Sequence, residues 1–241
     1  MRSPADPAIV ARGKQIFGVD CSFCHGSDAR GGESGPNLVR SQLVLDDQQG
    51  ELITPVVRDG RPDKGMPKFD LSAADISAVA TFLHSLPLAN LGGAPSAPVN
   101  ILVGDAKAGE AYFNGAGNCV TCHSVTGDLA GIGAKHDPKT LQNLIVSGGG
   151  GRGGAAAPSN VPPTTVTVTL PSGQKFEGKL THIDAFTVSL AEADGAHRSF
   201  AINGATPKVE VHNPLQAHID MLPTVKDVDI HNLTAYLVTL K

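Results

Sequence analysis

The chain has 241 residues, a formal net charge of −4 and 41% hydrophobic residues, with 28 glycines, 17 prolines and no tryptophan. That length fits one or two domains, and the mild acidity argues against nucleic acid as a partner, because nucleic acid wants a basic surface. No apolar run approaches the ~20 residues of a helical membrane span, so no integral membrane segment is expected.

In chain order, Asp6-Pro7 reads as a helix N-cap followed by proline at the first helical position. Ile9, Val10, Gly13 and Phe17 follow at helical spacing, and Gly13 costs stability unless another helix packs closely there. This helix leads into Cys21-Ser22-Phe23-Cys24-His25, which returns as Cys119-Val120-Thr121-Cys122-His123, and the two runs use all four cysteines. C-x-x-C-H is the attachment sequence of c-type haem. Two thiols one helical turn apart lie on one face, where each can bond a haem vinyl group, and the adjacent imidazole meets the iron from below. A thioredoxin-like pair would need a βαβ setting, which neither copy has. A zinc site would have to join two motifs nearly a hundred residues apart.

A glycine-rich loop, Gly31 to Gly35, then runs into Pro36-Asn37-Leu38. It is expected to cover the proximal face, a backbone carbonyl accepting from His25 and fixing its ring. Leu52, Ile53, Val56 and Val57 mark a short helix with Pro55 near its start. Met66 follows in Gly65-Met66-Pro67; only three methionines exist and one is Met1, so Met66 is a candidate ligand rather than core filler. Ser72 with Asp75 resembles a capping box, and Ile76, Val79, Ala80 and Leu83 give the stripe of a helix ending near Leu86-Pro87.

Residues 89–103 are rich in Gly, Pro, Ala and Ser and read as a linker between a first domain, 1–88, and a second, 104–241. The pattern then restarts. Gly109 and Phe113 precede Cys119 much as Gly13 and Phe17 precede Cys21, Met221-Leu222-Pro223 answers Met66-Pro67, and Tyr236-Leu237 answers Phe82-Leu83. Thr224 and Asp227 are the expected caps of the last helix. One difference stands out: Arg61 precedes Met66 by 5 residues, whereas Arg152 precedes Met221 by 69. The extra stretch holds five β-like runs, Thr165–Leu170, Lys175–Thr181, Phe186–Leu190, Arg198–Ile202 and Lys208–Val211, with turn signals at Asp184-Ala185 and Asp194-Gly195. It reads as an inserted antiparallel β barrel or sheet over about residues 161–212, with a spacing that resembles Sm-like and SH3-like barrels. Its ends place it beside the second methionine loop.

Each half resembles a class I cytochrome c domain: a Gly/Phe helix, C-x-x-C-H, a distal Met-Pro or Met-Leu-Pro and a final helix with Phe-Leu or Tyr-Leu. The resemblance implies a mainly α fold of two cytochrome c-like domains, the second carrying the β insertion, and two haem c groups. It implies thioether links through Cys21, Cys24, Cys119 and Cys122. It implies one iron held by His25 and Met66 and another by His123 and Met221, with Pro36, Arg61 and Arg152 among the cofactor-binding residues. The second half has Gly131-Ile132-Gly133 where the first has Gly35-Pro36-Asn37-Leu38, so its proximal contact is open, and His218, three residues before Met221, is a rival ligand.

The implied role is one-electron transfer between redox protein partners rather than enzymatic turnover, and the arrangement is similar to dihaem cytochromes that accept electrons from quinoprotein alcohol dehydrogenases. A dihaem peroxidase would need an iron with an openable distal position. A haem protein whose inserted barrel recruits a partner is the other alternative. Lys64, Lys68 and Arg61 flank the Met66 loop and are expected near the haem edge, where they would steer a partner. Haem attachment normally occurs outside the bacterial cytoplasm, so the expected compartment is the periplasm. No signal peptide is visible, and Met1 is read as a start that replaces one.

Overall fold

The computed structural model describes residues 5–32, 34–88, 99–149 and 161–241. In chain order these form α1 (Pro7–Asp20), α2 (Ser22–His25), α3 (Gln42–Asp46), α4 (Ile53–Asp59) and α5 (Ala73–Ser85). Then come α6 (Ala106–Asn114), α7 (Ile132–Lys135) and α8 (Pro138–Ser147). The strands β1 (Thr165–Thr169), β2 (Lys175–Ile183), β3 (Thr187–Ala191), β4 (His197–Ala201) and β5 (Lys208–His212) follow, and α9 (Gln216–Met221) and α10 (Asp227–Thr239) close the chain. They fall into two compact units, a helical one (Met1–Ala157 with His218–Lys241) and the insertion (Pro158–Ala217).

The helical unit is built on the same crossing used twice. α1 packs on α5 and α6 on α10, each through a glycine: a Cβ on Gly13 would lie 1.9 Å from the Ala78 carbonyl oxygen, and one on Gly109 2.0 Å from that of Asn232. One turn further on, Phe17 meets Phe82 with ring centroids 5.4 Å apart, and Phe113 meets Tyr236 at 5.7 Å. The caps are equally local. Asp6, Ser72 and Asp105 each accept a backbone N–H of the first turn they precede. Thr224 does not cap α10. Its hydroxyl turns back to the Met221 carbonyl, and the helix starts later, with the Asp229 carboxylate accepting from the Lys226 N–H. Phe17, Ile76 and Leu83 from the first half and Leu141, Ile230 and Leu233 from the second bury their side chains in one continuous apolar cluster.

The insertion is a five-stranded antiparallel sheet in the order β4-β3-β2-β1-β5. Each of the five runs is a strand to within two residues of its expected bounds at either end. Val166, Val168, Val188 and Leu190 are fully buried in a core of its own, as the period-2 alternation of β1 and β3 requires. The sheet does not close into a barrel. β5 spends its ladder on β1, from Thr165↔His212 to Thr169↔Lys208, so β4 and β5 are its edges, and the Lys208–Glu210 ion pair puts charge along one of them.

Candidate haem-binding sites

In the first half the chain folds the motif directly onto the end of α1. The Cys21 N–H bonds to the Phe17 carbonyl, and α2 carries Cys24 and His25. The glycine-rich loop wraps this turn, the Gly35 N–H reaching the Cys24 carbonyl at 3.0 Å. A Cβ at Gly35 would sit 2.8 Å from His25 Nδ1, so glycine is what lets the loop close. The Pro36 carbonyl then lies 3.0 Å from His25 Nδ1. Burial pushes the imidazole below its usual range, against the pull of Pro36. The ring is therefore neutral, Nδ1–H donates to Pro36, and Nε2 keeps its lone pair for a metal.

The methionine loop is as tightly made. Arg61 and Met66 exchange both backbone hydrogen bonds, at 2.8 and 3.0 Å, and the Phe69 N–H ties the loop to Val57 at 3.0 Å. Cys21, Cys24, His25, Pro36, Arg61 and Met66 all line one cavity, whose other walls are largely apolar, Phe17, Phe23, Val57 and Leu83 among them. Lys64 also lines it, whereas Lys68 is exposed outside the lining. Burial raises both thiols, Cys21 strongly. An apolar pocket that holds two thiols, a neutral imidazole with a free Nε2 and a thioether fits haem c.

The second motif sits differently. Cys119–Thr121 form a single 3-10 turn after Asn118, whose φ of 51° is left-handed, and Cys122 is exposed. His123 Nδ1 bonds not to a carbonyl but to the Asp128 carboxylate, 2.6 Å away. The other Asp128 oxygen accepts from the Ser124 N–H at 2.7 Å. Burial by itself pushes the Asp128 carboxyl up, but these bonds hold it below the ordinary range. Gly131-Ile132-Gly133 packs instead against the C-terminus, the Gly133 N–H bonding to the Leu240 carbonyl at 2.9 Å. Asp128 was legible only as an acid five residues beyond the motif histidine. On the other side, Met221 ends α9 half-buried against the apolar cluster, and its carbonyl accepts from the Val225 N–H. His218 lies with its ring centroid 6.0 Å from that of His123. Arg152 lies outside the described residues.

Helix α8, which the hydrophobic pattern did not announce, borders both sites. Asn143 Oδ1 accepts from the Ser34 hydroxyl at 2.5 Å and lies 4.0 Å from Cys24 Sγ. The Ile145 carbonyl accepts from His218 Nδ1 at 2.8 Å. Gln142 meets His231, whose Nε2 is 2.9 Å from Asp20 and 3.4 Å from Asp227. Burial alone pushes the His231 imidazole down, yet its bonds to Asp20 and Asp227 outweigh that and hold it at about 9. The structure sets Gln142 Nε2 2.9 Å from His231 Nδ1 and leaves the buried Oε1 without a partner; a protonated ring donates from both nitrogens, so the opposite amide orientation, with Oε1 accepting, satisfies this contact. Asp20 itself lines the first cavity, and burial pushes its carboxyl up despite the His231 bond. His182 and His212 are satisfied locally, by Asp184 at 2.9 Å and Thr167 at 3.2 Å. Among the described residues no helix is long and apolar enough to cross a membrane.

Residues 8–83 match the family model of cytochrome c oxidase, cbb3-type, subunit III. The chain is 35% identical over 126 residues to the cbb3-type cytochrome c oxidase subunit FixP of Azorhizobium caulinodans, covering 48% of this chain and 39% of that protein. It is 33% identical over 132 residues to FixP of a Bradyrhizobium species, covering 49% and 42%. It is 35% identical over 94 residues to the subunit CcoP of Rhodobacter capsulatus, covering 34% and 31%. The chain thus spans less than half the length of these curated relatives. The matched stretch contains the first motif, its proline loop and Met66, and it makes the first half a c-type cytochrome domain, a haem-carrying module of electron transfer.

Proposed function

We propose that the helical unit carries two haem c groups and passes single electrons from a donor to an acceptor redox protein outside the cytoplasm. Haem c supplies an iron that cycles between ferric and ferrous states. The cavity that gathers Cys21, Cys24, His25 and Met66 carries this reading. In it Cys21 and Cys24 form the thioether links, and His25, steadied by Pro36, and Met66 ligate the iron. The apolar walls keep water out, and the Arg61 and Lys64 side chains meet propionate or partner charge. Cys119, Cys122 and His123 do the same for the second group, and α9 offers two side chains for its other face, Met221 and His218. The cytochrome halves, 1–88 and 104–241, each bring one group to the shared core. On the resemblance to dihaem partners of quinoprotein alcohol dehydrogenases, such a dehydrogenase is the donor, and the relatives' names make a terminal oxidase the natural acceptor class.

The test is the mass of the denatured protein after expression with haem-maturation machinery. Two added haems are expected, each lost with its own cysteine pair, together with two one-electron waves in a redox titration. A chain that carries one haem, or none, overturns the dihaem reading.

A further inference from the structure

Three histidines of the helical unit share one arrangement. His25, His123 and His218 each donate Nδ1–H to a fixed acceptor, the Pro36 carbonyl, the Asp128 carboxylate and the Ile145 carbonyl, at 3.0, 2.6 and 2.8 Å. That bond sets the tautomer and leaves Nε2 as the lone-pair nitrogen, the second-shell device by which proteins orient metal-ligating imidazoles. Two of the three belong to the motifs. The third does not, yet it faces one of them: the His218 and His123 rings stand 6.0 Å apart between centroids, with planes crossing at 74°. They do not stack face to face. An iron bound to two imidazole nitrogens at about 2 Å each puts the ring centroids roughly 6 Å apart, whatever the twist between the planes.

On the dihaem reading, we propose that His218, and not Met221, is the distal ligand of the second haem. His218 and Met221 lie three residues apart in α9, on one face of the helix, so one of them takes the position and the other packs beside it. The Ile145 bond anchors the His218 ring from α8, while the Met221 side chain lies against the apolar cluster. The two sites then differ in kind: His/Met at the first iron, His/His at the second. Thioether ligation raises a haem potential relative to a second imidazole, which makes the second haem the stronger reductant.

The experiment uses the haem-loaded full chain, with the haem count fixed first by mass, so that a missing second haem marks failure of the dihaem reading and not of this one. In the ferric protein the weak far-red thioether-to-iron charge-transfer band is expected at the strength of one haem, and Met66→His removes it entirely. Met221→Leu leaves that band, the low-spin spectrum and both potentials unchanged. His218→Met raises the lower potential and doubles the band, and His218→Gln turns one haem high-spin. The proposal is overturned if the wild-type band has two-haem strength, or if Met221→Leu converts one haem to high-spin while His218→Gln leaves the spectrum as it was. Because Gln and Met preserve bulk at position 218, and the first haem's spectrum reports on folding, a folding defect is separable from loss of a ligand.

Discussion

The two halves of the helical unit share a scaffold and diverge where the scaffold meets the cofactor. Gly13 and Gly109 allow the same backbone approach, and Phe17–Phe82 and Phe113–Tyr236 fill the same corner. Around the motif histidines the likeness stops. His25 leans on a peptide carbonyl within a largely apolar cavity; His123 leans on a carboxylate beside an exposed cysteine. Duplicated packing is kept because a helix crossing tolerates few alternatives. The polar contact to an imidazole is one hydrogen bond that several groups can make, so it is free to drift and to retune the metal.

The sharpest way to break this comparison is to unload one site at a time. Replacing Cys21 and Cys24 by serine should leave one haem and a void inside the apolar cluster, costing ~3–5 kcal/mol by the scale of large core truncations. The pair at 119 and 122 should cost clearly less, because that motif is more exposed. Denaturant unfolding of both variants checks this; equal losses would mean that the two motifs contribute equally to the core. Next comes the shared scaffold. Gly13→Ala and Gly109→Ala each drive a methyl into a carbonyl and should each cost ~2–3 kcal/mol, and a large inequality between them in melting temperature would break the symmetry of the crossings.

The seam between the halves predicts a pH effect. His231 of α10 titrates at about 9 in the fold, above its ordinary 6.5. Its stabilisation is therefore complete below about pH 6.5 and drains away as pH rises through about 9. The whole effect is at most ~3 kcal/mol, offset by the cost of burying Asp20. Melting curves across this window should slope downward in the wild type and flatten in His231→Gln, and parallel slopes would remove the role. The smallest effect is at the carboxylate. Asp128→Asn weakens the pull on the His123 proton and should raise the second haem's potential by on the order of tens of millivolts, with the first unmoved. A titration in which both haems shift together would show that Asp128 does not act through His123.

Much of this was written locally. The two C-x-x-C-H runs, the Gly/aromatic helix pairs, the Ser72 cap and all five strands follow from residues within a few positions of one another, where spacing and turn chemistry suffice. What escaped depends on contacts across the chain. Asn143 touches a motif more than a hundred residues earlier, and Gln142, His231 and Asp20 meet from three separate segments. Thr224 failed as a cap because a nearby carbonyl, that of Met221, competed for its hydroxyl. Between the two expected forms of the insertion, barrel or sheet, the sequence could not choose, because strand spacing gives the number of strands and not the partner of the last one; the pairing of β5 with β1 makes it a sheet. The proline that marks the first proximal loop has no counterpart in the second, and an aspartate closer to the motif took over its task.

Helix α8 has a thermodynamic consequence. It is ten residues long, and it holds Asn143 near Cys24 and the Ile145 carbonyl on His218. An electron added at one site changes charge next to a wall that the other site also uses. Whatever that does to the second reduction, the second does equally to the first, because coupling free energies are reciprocal. With both haems bound as proposed, each potential then depends on the oxidation state of the neighbour, and a titration of either is read with the other held in a fixed state.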